Sequence, residues 1–140
     1  QIARRLRLSS NHVQRVRELV ADHMRFLDVE QMRRATLLRL LREPHIESLL
    51  ALHRADRLAA DGDLREHDFC RAALDELEPE QLRPPRLLDG HDLQELGVEP
   101  GPGMGKLLWA VEDAQLGGEI STREDALALV GELRKKKKMR

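Results

Sequence analysis

Apolar residues recur every three or four positions along most of this chain, and that spacing constrains its fold more than any other feature. Leu, Ala, Glu and Arg dominate, and all four are good helix formers. Aromatic residues make up only 2% of the chain, so its core must be aliphatic. No long run of valine and isoleucine suggests a sheet. The sequence therefore predicts an all-α fold, with a bundle-like helical body followed by a smaller helical lobe.

The spacing predicts four helices before residue 78. The first begins after a Ser9 or Ser10 cap, and its apolar residues recur at helical spacing. The third stops near Asp61 and directs Leu58 inward. The apolar residues of the first helix are Val13, Val16, Val20, Met24 and Leu27, and the other predicted helices span about 29–42, from about Pro44 to 61, and 63–77.

Three prolines between residues 78 and 86 mark the best internal boundary. Beyond it we expect a short helix over 90–96, capped by Asp89 and closed by Gly97, and then a helix that ends at Gly117 and Gly118. The stretch Ser121-Thr122-Arg123-Glu124 reads as a capping box for the last helix. The predicted domains are a body segment over 1–78, a proline-rich linker over 79–86, a C-terminal lobe over 87–133 and a basic tail over 134–140.

Charge is distributed unevenly along the chain. Residues 1–60 carry 12 arginines and 7 acidic residues, whereas residues 61–133 carry 6 basic and 18 acidic residues. Residues 134–140 add 6 positive charges. Arginine binds phosphate through a planar fork, so an arginine-rich helical segment suits a polyanion, although a solvated helix face with local acidic partners explains it as well. The candidate phosphate contacts are Arg25, Arg33, Arg34, Arg39 and Arg42.

A glycine-rich turn provides the second candidate for RNA binding. It contains Gly101, Gly103, Gly105 and Lys106, and it is predicted to join two helices. Backbone N–H groups at the start of the following helix suit a phosphate, as in a helix-hairpin-helix, whereas a tight structural turn is the alternative. A nucleotide-binding P-loop is disfavoured because Lys106 is followed by Leu107 rather than by Ser or Thr.

Several short motifs resemble catalytic or metal-binding signatures, but their positions favour structural roles. The acidic pair of Asp61 and Asp63 falls between two helices, where a cap and turn are expected. The dipeptides 67–68 and 91–92 spell His-Asp without further ligands to complete a metal site. Cys70 lies within a helix and is expected to be a core thiol. We therefore predict no catalytic residues, no metal ligands and no cofactor for this chain.

Localisation is predicted from three absences. No apolar stretch is long enough to cross a membrane, no signal peptide is visible, and one cysteine cannot form an internal disulfide. These features indicate a cytoplasmic protein that does not bind membranes. Residues 1–6 read as the inside of a helix without a cap, as in a piece of a longer protein.

Three stretches of the chain resemble bacterial CCA-adding tRNA nucleotidyltransferases and poly(A) polymerases. Residues 19–37 are similar to the segment beyond the HD motif of that family, and residues 52–59 to the helix that follows it. The third stretch, over residues 85–126, is the most specific, and it resembles the family's C-terminal RNA-binding region. Together the resemblance spans roughly residues 8–130.

The resemblance implies a non-catalytic, RNA-binding part of such an enzyme. In this family a head holds the catalytic carboxylates, with Mg²⁺ and ATP or CTP, and a neck selects the nucleotide, whereas body and tail grip tRNA. The implied partners are tRNA or another RNA, and the head, neck and HD region of the parent enzyme. CCA, A-only and poly(A) addition all stay open. The alternatives are a metal-dependent HD phosphohydrolase using His23, His67 and Asp68, or a helical protein-interaction module suggested by the acidic second half.

Overall fold

The computed structural model describes residue 5 and residues 7–138, with side chains up to residue 136. The expected helical start at residues 1–6 lies almost wholly outside the described residues, as does the end of the basic tail. Every regular element in the described part of the chain is a helix, which confirms the predicted all-α fold. None of its helices is long and apolar enough to cross a bilayer.

The helices follow one another through short turns. Two single-turn 3-10 helices, His23–Phe26 and Val29–Gln31, stand between the first two α-helices. The α-helices are α1 (Ser10–Asp22), α2 (Arg34–Leu41), α3 (Ile46–Ala60), α4 (Arg65–Glu76), α5 (Pro79–Leu82), α6 (Gly90–Glu95), α7 (Pro102–Gly117) and α8 (Arg123–Lys138).

The chain divides into two compact units. Unit 1 comprises the residues up to Met32 together with Leu40–Leu77, and unit 2 comprises Arg33–Arg39 together with the residues from Glu78 onward. The division after Leu77 falls beside the predicted proline-rich linker, part of which forms the short helix α5.

In unit 1, α3 packs against α1, α4 and the first 3-10 helix. Leu50 and Phe26 are almost fully buried there, and so is Cys70, which confirms the predicted core thiol. Burial is the main reason that the pKa of Cys70 is raised to about 11, with the nearby Glu66 carboxylate adding to the effect. His53 is also buried, and its ring lies 5.0 Å from that of Phe26.

Two predictions about unit 1 were wrong in detail. The helix predicted over 29–42 is broken, because Met32 adopts an extended conformation with ψ of 141° between the second 3-10 helix and α2. Leu58, predicted to point inward, is 50% exposed on the last turn of α3. No burial was predicted for the apolar residues of the first helix, and four of them are well exposed, at 46% for Val16, 57% for Val20, 53% for Met24 and 42% for Leu27.

In unit 2, α7 packs against both α6 and α8 around an aliphatic core. Asp89 caps α6 as predicted, accepting hydrogen bonds from the backbone N–H groups of residues 91 and 92. Gly97 and Gly118 follow their helices with φ of 74° and 81°, values that favour glycine. The buried residues of this core are Leu88, Leu93, Val111, Ala126 and Val130.

The capping box of α8 lies one residue later than predicted. Thr122 Oγ1 accepts from the N–H of Asp125 at 3.1 Å, and the carboxylate of Asp125 accepts from the N–H of Thr122 at 3.1 Å. Ser121 and Glu124 do not form the reciprocal pair. The pairs Ser121–Glu124 and Thr122–Asp125 both fit the sequence pattern of a capping box. The structure uses the second pair, whose acidic residue is the shorter aspartate.

Candidate functional site

Arg39 lies at the centre of an ion-pair network in unit 2. Its guanidinium donates to Oδ1 of Asp113 and lies 3.4 Å from Oε2 of Glu112, and its side chain is only 20% exposed. Arg33 donates to Oδ2 of Asp113 at 3.2 Å but is 68% exposed. Burial raises the pKa of Asp113, but the Arg39 hydrogen bond and both guanidinium charges outweigh it, so this pKa is lowered overall. Arg39 therefore faces its acidic partners, whereas most of Arg33 faces solvent.

The other three predicted arginines differ in their surroundings. Arg34, in unit 2, is exposed and forms no ion pair or hydrogen bond with any residue that the structure describes. Arg25, in unit 1, lies 3.1 Å from Glu43 and 3.8 Å from Asp22 and is 40% exposed. Arg42 is half-buried and already has an interaction of its own. Arg34 is thus the member of this group with its donors most available to a ligand.

The glycine-rich segment is more helical than predicted. Helix α7 begins at Pro102, so Gly103, Gly105 and Lys106 lie in its first turns rather than in a loop. Gly101 is the N-cap residue, and its φ of 150° is a conformation that other residues rarely adopt. Proline at the first helical position has no N–H to leave unpaired, which explains why the helix starts there.

A cavity of about 760 Å³ lies beside the first turns of α7. Its walls are mostly apolar, and the charged residues that line it are Lys106, Arg134 and the acidic Glu99. Arg134 Nη1 donates to the backbone carbonyl of Leu96 at 2.6 Å, so this guanidinium is held in place. Lys106 is exposed and has no ion pair within the described part of the chain.

Trp109 is a prominent surface residue that sequence reasoning missed. It is 55% exposed on α7, and the guanidinium of Arg39 lies over its ring at 4.6 Å from the centroid. A tryptophan among apolar residues of a helix ordinarily indicates the core, so the sequence carried no signal of its exposure. The neighbouring surface forms a second cavity, of about 290 Å³, which Arg86 and Gly105 also line.

The acidic pair of Asp61 and Asp63 forms a turn, as predicted. The N–H of Asp63 donates to Oδ1 of Asp61 at 3.0 Å, and Gly62 between them has a φ of 76°. Arg65 donates to both carboxylate oxygens of Asp63, and this hydrogen bonding is the main cause of an Asp63 pKa lowered to about 2. These carboxylates are therefore engaged with the backbone and with neighbouring arginines.

The His-Asp pairs have similarly local roles. Nδ1 of His67 lies 2.8 Å from Oδ1 of the adjacent Asp68. Asp92 completes the capping box of α6 and pairs with Arg123, and this arginine is the main reason that the pKa of Asp92 is lowered to about 2. Nδ1 of His23 donates to the Val20 carbonyl at 2.6 Å. Within residues 7–136, no three His, Cys, Asp or Glu side chains form a group that could hold a metal ion.

Comparison with known proteins identifies relatives along nearly the whole chain. It is 35% identical over 138 residues to an A-adding tRNA nucleotidyltransferase of Deinococcus radiodurans, a match covering 93% of this chain and 32% of that protein. It is 34% identical over 128 residues to a CC-adding tRNA nucleotidyltransferase of Thermus thermophilus, covering 89% of this chain and 29% of that protein. No protein-family model and no solved structure matches the chain significantly.

The chain thus spans about a third of the length of the curated relatives it matches. Both relatives are tRNA nucleotidyltransferases, which is the family that the sequence motifs resemble. The resemblance is confirmed, because the chain matches tRNA nucleotidyltransferases over about nine-tenths of its own length.

Proposed function

We propose that this chain is a non-catalytic RNA-binding region that holds tRNA for a nucleotidyltransferase. The observation that carries the proposal is its similarity, over about nine-tenths of its length, to two proteins named as tRNA nucleotidyltransferases. The chemistry of the described residues agrees with a binding role, because the acidic pairs reminiscent of catalytic sites are engaged in turns, caps and ion pairs.

Among the predicted phosphate contacts, the cations with the most available donors lie in unit 2. Arg33 and Arg34 are adjacent at the start of α2, and both are exposed. Arg33 uses one nitrogen for Asp113, and a guanidinium has five N–H donors, so several remain for phosphate oxygens. Lys106 in the first turns of α7 adds a third positive charge. We assign the phosphate contacts mainly to these three side chains.

The remaining residues of the predicted site have supporting roles in this proposal. Gly103 lies in the first turn of α7, where backbone N–H groups lack a partner within the helix and the helix dipole favours an anion. Arg39 is assigned no direct phosphate contact, because its guanidinium is already paired with its acidic partners Asp113 and Glu112. Gly101 shapes the start of α7, Gly105 leaves open space on the surface of that helix, and Arg25 and Arg42 in unit 1 contribute positive potential.

Quantitative tRNA binding by single variants tests the assignment. Arg34→Ala and Lys106→Ala should each weaken tRNA binding and reduce the slope of log affinity against log salt by about 1. Arg54→Ala is the matched control, since Arg54 is equally exposed and without an ion pair in the described structure but belongs to unit 1. Equal effects of all three substitutions would show that unit 2 has no particular role in binding.

A further inference from the structure

Trp109 is exposed in a way that protein stability does not explain. More than half of its surface meets solvent, although it is the only tryptophan of the chain and a large apolar side chain gains most from burial. One face is covered by the Arg39 guanidinium, which Asp113 and Glu112 hold in place. The ring is therefore supported from one side and presented to solvent on the rest of its surface.

Gly105 lies one helical turn before Trp109, and neither packing nor backbone geometry requires glycine there. A Cβ atom added at this position would meet no atom within 4 Å, and the residue has no positive φ. Glycine inside a helix is destabilising relative to alanine. Because a helical side chain leans toward the preceding turn, the missing side chain of Gly105 leaves open space beside the Trp109 ring. Both residues line the cavity of about 290 Å³.

The charges around this cavity suit an anion next to the ring. Arg86 lines the cavity, is exposed, and has no ion pair or hydrogen bond with any described residue. Lys106 follows Gly105 on the same helix and lines the neighbouring cavity of about 760 Å³ rather than this one; it is also exposed and unpaired in the described structure. The acidic wall residue Glu112 already pairs with Arg39. The Trp109 ring and the available Arg86 guanidinium on one cavity match a nucleobase beside a phosphate, and Lys106, adjacent to Gly105 on α7, supplies a second cation for a flanking phosphate.

We propose that the cavity beside Trp109 binds one unstacked base of an RNA, which stacks on the indole while Arg86 and Lys106 contact the flanking phosphates. Single-stranded RNA is commonly held by bases stacked on aromatic side chains next to basic residues. At about 290 Å³ the cavity lies at the lower end of the range of about 300–1,000 Å³ for small-molecule sites, which suits one ring system. This inference rests on the proposed RNA-binding function and assigns a base-contacting residue within it.

The single tryptophan makes the test direct. The intact chain is titrated at low salt with a short single-stranded oligonucleotide and with an abasic oligonucleotide of equal length and charge. Stacking predicts that the base-containing strand quenches Trp109 fluorescence and binds about tenfold more tightly, whereas the abasic strand binds through phosphates without quenching. Equal affinity and unchanged fluorescence for the two strands would overturn the stacking proposal while leaving RNA binding intact. No binding of either strand would overturn both proposals.

Two substitutions probe the cavity independently, with affinity measured by gel shift. Trp109→Leu should lower affinity for the base-containing strand about tenfold and leave the abasic strand unaffected. Gly105→Gln fills the open space and should have the same selective effect, although it favours the helix and should raise the melting temperature. Leu58→Ala, at a similarly exposed apolar position in unit 1, is the control and should change neither affinity. A Gly105→Gln variant that binds both strands normally would refute the cavity as the site.

Discussion

Removing Asp113 should destabilise unit 2 far more than removing an ordinary surface charge. The carboxylate is 15% exposed and accepts hydrogen bonds from Arg33 and Arg39. The Asp113→Ala substitution leaves the Arg39 guanidinium, itself 20% exposed, without its main partner. Breaking a fully buried ion pair costs about 3–5 kcal/mol and an exposed pair is worth up to about 1 kcal/mol, so this intermediate case should cost about 2 kcal/mol.

Urea denaturation followed by Trp109 fluorescence and helical circular dichroism measures this loss, because Trp109 lies directly under Arg39. About 2 kcal/mol corresponds to a change of roughly thirtyfold in the folding equilibrium. The matched control is Arg65→Ala, which breaks an ion pair with Asp63 in which the arginine is 76% exposed, so it should lower the free energy of unfolding much less. If Asp113→Ala cost as little as this control, the proposed positioning of Arg39 and Trp109 would be refuted.

Three further predictions concern other parts of the molecule. Burial lowers the pKa of His53 more than the Glu66 carboxylate raises it. The stability that comes from neutral His53 should therefore be fully present above about pH 6.5, the ordinary histidine pKa, and should be lost as the pH falls toward the lower pKa of the folded state. His53→Phe should flatten this pH dependence in acid-unfolding curves. The pKa of Asp92, lowered to about 2, should return toward its ordinary range in Arg123→Ala when measured by NMR titration, and no change would refute the ion pair. Gly97→Ala should lower the melting temperature, at a cost of about 1 kcal/mol or more, because φ is 74°; a neutral result would contradict that turn geometry.

The features that the sequence predicted well depend on neighbours a few positions apart. Ser9 caps α1 and Asp89 caps α6, because a cap needs only a side-chain oxygen and N–H groups two or three residues away. Gly97 and Gly118 close their helices for the same local reason. The capping box of α8 shows the limit of such reasoning, since two adjacent registers satisfied the pattern equally well.

The features that the sequence did not predict depend on distant partners. In the sequence, Arg39 looks like any other cation of a basic segment. Its pairing with Asp113 is not evident there, because Asp113 lies 74 positions later in the chain. The exposure of Trp109 follows from how α7 meets its neighbours, which helical spacing does not reveal. Val20 likewise belongs to an apolar stripe but is 57% exposed, because spacing shows which residues share a face and not whether another element covers it.

The salt dependence of tRNA binding by this chain tests the central proposal most directly. Equilibrium binding is measured with the intact chain and a tRNA across a series from about 50 to 200 mM salt. The proposal predicts binding at low salt, with log affinity falling linearly against log salt as phosphate counterions are released. No detectable tRNA binding at the lowest salt, or an affinity that does not change along the series, would contradict a role in holding tRNA through phosphate contacts.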